Sequence, residues 1–138
     1  MVDSKAVLRR LRDIERRVAA LAAIEERGEA AFLADEGLQA QVERHLHLAI
    51  QSAIDIAFHI LAEDSPLTPE DYASSFRLLA RIGVIDEDLS RRLESAAGLR
   101  DILVHDYLDI DYGRIWDRLS DLGHLERFAV AVDMYLSS

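Results

Sequence analysis

Residues 43–61 read ERHLHLAIQSAIDIAFHIL, and this stretch decides the fold. Leu46, Ala49, Ile50, Ala53, Ile54, Ala57, Ile60 and Leu61 recur at spacings of one, three and four, the period of a helix face. With Leu38 and Val42 upstream, the stripe predicts a helix from about residue 35 to about residue 62. The stripe is wide, so this helix should be the most buried. Pro66 and Pro69 mark the break after it.

Working outward, Val7, Leu11, Ile14, Val18 and Leu21 form a heptad-like stripe that predicts a first helix ended near Gly28. Such a stripe suits either a core face or an oligomer seam. Downstream, Thr68 as cap and Pro69 at the first helical position predict a third helix to about residue 82, stopped by Gly83. Asp86 caps an expected fourth helix over residues 87–107. A boundary at Asp109-Ile110-Asp111 precedes a fifth, running to about Leu136. Strand alternation, repeats and linkers are missing. The expectation is a single all-α domain over residues 1–138, a five-helix up-and-down bundle.

Composition agrees. The 138 residues include 6 glycines, 2 prolines and no cysteine, which excludes disulfides, thiolate metal sites and thiol nucleophiles. The formal charge is -10, poor for general affinity to nucleic acids or anionic membranes. The charge is uneven. Residues 1–27 carry seven bases and five acids, whereas the remainder carries nine bases and 21 acids. The N-terminal stretch lacks the pattern of a secretory signal, and the longest apolar run, residues 18–24, is far below a membrane span. A cytoplasmic protein without a membrane segment is expected.

Glycine-rich phosphate loops, paired-histidine zinc motifs and serine elbows do not occur. Asp106, Asp109, Asp111, Asp117 and Asp121 lack calcium-loop spacing and read as charged helix boundaries. His45 and His59 lie about 21 Å apart along one helix, too far to share a metal. No cofactor and no metal is expected.

Residues 100–107, RDILVHDY, stand out. On a helix, Arg100, Val104 and Tyr107 share one stripe, and Asp101 lies four residues from His105, within contact. The set suits phosphodiester chemistry. Arg100 would hold a phosphate through two parallel hydrogen bonds and offset transition-state charge. The His105 imidazole suits transfer of the ribose 2′-proton. Asp101 would orient His105, and Tyr107 would donate to a phosphate or stack on a base. Cleavage by 2′-hydroxyl attack requires no metal. The motif alone also admits a plainer reading, a helix-end cluster in which Asp101 and His105 simply pair.

Residues 100–111, RDILVHDYLDID, resemble the signature of HepT-like toxins of the HEPN superfamily: Arg, a polar residue, a spacer, His, any residue, Tyr. Asp101 stands where many relatives carry Asn. Residues 43–61 resemble that family's second helix, and with the order of helices the similarity spans most of the chain, residues 1–34 being less distinctive. The resemblance implies a homodimeric HEPN bundle with two motif copies facing a shared cleft. It implies a metal-independent endoribonuclease toxin of a type VII-like toxin–antitoxin pair, with tRNA or mRNA as candidate substrates. Arg100 and His105 would be catalytic and Asp101 supporting. The implied partner is an MntA-type nucleotidyltransferase antitoxin that neutralises the toxin by AMPylation of Tyr107. The alternative is a non-catalytic nucleotide- or substrate-binding subunit of a nucleotidyltransferase complex. Ser52, Asp55 and His59 share one side of the second helix; they could reach the cleft, but packing or solvent-facing roles fit equally well, and they are left outside the expected site.

Overall fold

The computed structural model describes residues 2–138, and the described residues form helices without strands. The elements are α1 (Ser4–Glu25), α2 (Glu29–Leu33), α3 (Glu36–Asp64), α4 (Tyr72–Arg81), α5 (Glu87–His105), α6 (Tyr112–Arg118) and α7 (Leu122–Ser137). Single 3-10 turns occupy Tyr107–Asp109 and Leu119–Asp121. Five of the helices have ten or more residues, which gives the expected all-α bundle; α2 and α6 are short additions.

The apolar stripes go where their periods direct them. Val7, Leu11, Ile14, Val18 and Leu21 are all buried, as are the ten apolar positions expected of α3. Removing each large aliphatic side chain from water contributes about 1.5–3 kcal/mol, so these stripes dominate the driving force. Phe76 of α4 and Phe128 of α7 meet edge-on at 5.8 Å and are fully buried. Phe32 of α2 closes another part of the core against Tyr112 and Trp116. By length and composition α3 could cross a bilayer, but its apolar residues form the bundle's core.

α1 packs antiparallel to α3, with Arg10 beside Asp55, Asp13 beside Ser52 and Arg17 beside His45. α5 runs against α7 through the pairs Arg127–Asp88 and Arg127–Asp86. Tyr135 Oη donates to the Asp64 carboxylate and ties the ends of α7 and α3 together. That acceptor, with burial added, pushes the Tyr135 phenol up to about 12.

Asp35 and Asp86 cap α3 and α5, each accepting backbone N–H bonds from the first turn. Gly83 adopts φ 84°, the left-handed position that ends α4. There Val84 N–H bonds to Leu79 O and Gly83 N–H to Ala80 O, a Schellman closure.

Three expected boundaries are corrected. α4 starts at Tyr72 rather than Pro69, because Asp71 and Ser74 form a reciprocal capping box. Thr68 and Pro69 remain in the preceding loop. The fifth expected helix is divided. Ser120 Oγ donates to Asp117 O at 2.8 Å within a tightened 3-10 turn, and α6 and α7 lie on either side of it. α5 ends at His105, not Tyr107. Asp106 leaves the helical region at φ -115°, ψ 32°, and Tyr107 opens a separate 3-10 turn.

Candidate active site

The last two turns of α5 carry Arg100, Asp101 and His105. Arg100 turns inward, with its side chain only 14% exposed, and three neighbours hold its guanidinium. Arg100 Nε donates to Gln51 Oε1 at 2.9 Å. Arg100 Nη1 donates to Asp101 Oδ1 at 3.2 Å. The Tyr72 ring, at the head of α4, lies 4.9 Å from Arg100 Cζ, within cation–π range. Phe58 supports that ring edge-on at 5.8 Å. α3, α4 and α5 therefore converge on one cation.

A polar chain continues behind Arg100. Gln51 Nε2 donates to Asp55 Oδ1 at 2.9 Å, which fixes the amide with its oxygen toward Arg100. Asp55 Oδ2 lies 3.6 Å from Arg10 Nε on α1. Gln51, Tyr72 and Arg10 are absent from the expected site, and Asp55, able to reach the cleft by its place on the helix, is left outside it. The four-residue spacing of Gln51 and Asp55, inside an otherwise apolar stretch, was the signal that could have found them.

Two expected relationships change. Asp101 pairs with Arg100, and among the described residues no hydrogen bond or ion pair joins it to His105. Asp101 is therefore a partner of the arginine within one chain. Tyr107, off the α5 axis, does not share a helical stripe with Arg100; the residue is 62% exposed. His105 also faces solvent. One chain thus joins Arg100 and Asp101 and leaves His105 and Tyr107 presented outward. Exposed Ile102 and Leu108, the latter 84% exposed, flank them.

Burial and then the charges of Arg100, Arg44 and Arg17 hold His47 below the usual histidine range. Burial, Arg17 and Arg16 do the same to His45, whose Nδ1 lies 3.3 Å from Arg17 Nη1. Burial is the larger cause for both imidazoles, and the nearby arginines add to it. Elsewhere, Ser52 Oγ donates to Asp13 Oδ2 at 2.9 Å, and His59 Nε2 is buried without a hydrogen-bond partner among the described residues. Of the acids considered for a cation, Asp111 caps α6, and Asp121 pairs with Arg118 and His124. Among the described residues, no group of three or more His, Cys, Asp or Glu side chains is arranged to hold a metal ion.

The mRNA nuclease HepT of Shewanella oneidensis is 34% identical over 103 residues, covering 75% of this chain and 76% of that protein. The tRNA nuclease HepT of Aphanizomenon flos-aquae is 32% identical over 89 residues, covering 64% of this chain and 60% of that protein. The structure of a tri-AMPylated Shewanella oneidensis HEPN toxin in complex with an MNT antitoxin superposes with a TM-score of 0.87. It is 28% identical, and the alignment covers 97% of this chain and 99% of that one. The family described as Ribonuclease HepT-like matches residues 7–132, and this chain belongs to it.

Proposed function

We propose that this chain is a metal-independent endoribonuclease toxin whose site is completed by a second copy of itself. The observation that carries the reading is the held Arg100 and the outward-facing His105 on the last two turns of α5, in a chain of the HepT-like family. In the reaction, a neutral imidazole accepts the 2′-hydroxyl proton as the 2′-oxygen bonds to phosphorus. The P–O5′ bond breaks, and a protonated imidazole returns a proton to the leaving 5′-oxygen, leaving a 2′,3′-cyclic phosphate. Arg100 offsets the charge that builds on the non-bridging oxygens. Two facing motifs supply the two imidazoles. Exposed Ile102 and Leu108 support a contact that covers this end of α5.

Neutralisation follows from the exposure of Tyr107. Its phenol oxygen attacks the α-phosphorus of ATP held by an MntA-type nucleotidyltransferase. The α–β anhydride bond breaks and pyrophosphate leaves. The phenolic proton passes to the antitoxin or to solvent. The added phosphodiester anion and its bulk then exclude an RNA phosphate from Arg100. Both reactions draw on cytoplasmic substrates, RNA and ATP.

The test is expression in cells with and without the antitoxin. Growth arrest by the chain alone, lost in Arg100→Ala and His105→Ala and relieved by the antitoxin, is the expected result. Arrest that survives both substitutions rejects these residues as the catalytic set.

A further inference from the structure

α1 carries a second polar stripe beyond the one that faces α3. Arg9, Arg12 and Arg16 recur at spacings of three and four, so they stand on one face of α1. They line an open cleft of about 630 Å³ whose other wall includes Ser52 and Asp55 of α3. The two acids in this cleft already have cationic partners in the chain. Asp13 accepts from Arg16, Arg17 and Ser52, and Asp55 faces Arg10. Although burial pushes the Asp13 carboxyl up, those hydrogen bonds outweigh it and hold the group below the usual carboxylate range, so it persists as an anion. Among the described residues, Arg9 and Arg12 have no hydrogen-bond or ion-pair partner, so the cleft keeps an excess of positive charge.

Three features identify the occupant. The cleft has no aromatic ring in its lining, so it offers phosphate contacts and no stacking platform. Arg9 to Arg16 spans about 10 Å of helix, room for more than one phosphate at roughly 3.4 Å per nucleotide of a stacked strand. A hydrogen-bond chain also links the cleft wall to the motif: Gln51 donates to Asp55 of that wall and accepts from Arg100. We infer that the Arg9–Arg12–Arg16 face of α1 is a phosphate track that carries the RNA strand away from Arg100. This rests on the ribonuclease reading above and adds a sequence-independent binding site to it.

The test uses the full chain in a His105→Ala background, so that RNA is bound and not consumed. Binding of a fluorescein-labelled single-stranded RNA is followed by anisotropy from about 50 to about 200 mM salt. Arg9→Gln/Arg12→Gln/Arg16→Gln is compared with its parent and with a charge-matched control, Arg81→Gln/Arg91→Gln/Arg92→Gln. The oligomeric state of each is read by light scattering. Each phosphate no longer neutralised lowers the slope of log K against log salt by roughly 0.7, so the cleft variant should lose roughly 2 units of slope and at least tenfold in affinity. The control should retain both. Parent-like slope in the cleft variant overturns the track and leaves the ribonuclease reading standing. No RNA binding by the parent overturns both. An equal loss in the control reduces the effect to net charge, and a changed oligomeric state assigns the arginines to a subunit interface. Either result rejects the track.

Discussion

Arg100 Nε donates to Gln51 Oε1 at 2.9 Å across 49 residues of chain, and Asp55 fixes the Gln51 amide that receives it. A hydrogen bond to a charged group is worth about 1.5–3 kcal/mol when one partner is removed. Gln51→Leu keeps the volume and deletes the acceptor. Single-turnover cleavage should fall roughly 10- to 100-fold, with RNA affinity changed much less, because Arg100 keeps its charge and loses its aim. Equal losses in rate and affinity would mean that Gln51 contributes to binding instead.

Tyr107 is 62% exposed, and its hydroxyl has no partner among the described residues. Tyr107→Phe should therefore leave stability within about 0.5 kcal/mol. Intact-mass measurement after incubation with the antitoxin and ATP should show AMP adducts on the wild-type chain and none on the variant. Adducts that persist on the variant would place the modification elsewhere.

Phe128 is fully buried against Phe76. Phe128→Ala should cost about 3–5 kcal/mol, read as a lower urea midpoint. A shift below about 1 kcal/mol would mean that α7 is not part of the cooperative core.

Acid should weaken the fold through His45 and His47. Burial lowers the pKa of each in the folded chain, with Arg17 and Arg16 adding to it for His45, and Arg100, Arg44 and Arg17 for His47. The unfolded chain therefore binds more protons just below the ordinary histidine value of 6.5. Stability present above that value is lost as pH falls from it toward the depressed folded values. Melting temperature should drop between about pH 7.5 and 5.5, and less so in His45→Gln/His47→Gln. An identical drop in the double variant would assign the acid sensitivity to other groups.

These residues also show what a sequence can convey. Stripes such as Val7, Leu11, Ile14, Val18 and Leu21 are local and periodic, and all five are buried. Asp86 could be recognised as a cap because a cap acts within one turn. Thr68-Pro69 offered a plausible start too, and only the reciprocal Asp71–Ser74 bonds decide where α4 begins. Arg100 and His105 could be singled out as a motif. The partners of Arg100 could not, since Gln51 and Tyr72 reach it through packing of three helices. The Asp101–His105 pairing failed for a related reason: a neighbouring guanidinium takes the carboxylate.

The most direct measurement is cleavage of RNA by the unmodified chain in EDTA, beside His105→Ala. Cleavage that depends on His105 and leaves 2′,3′-cyclic phosphate ends is the predicted result. A folded, unmodified dimer that cleaves no RNA, tRNA and mRNA included, would contradict the ribonuclease mechanism and favour a nucleotide-binding subunit instead.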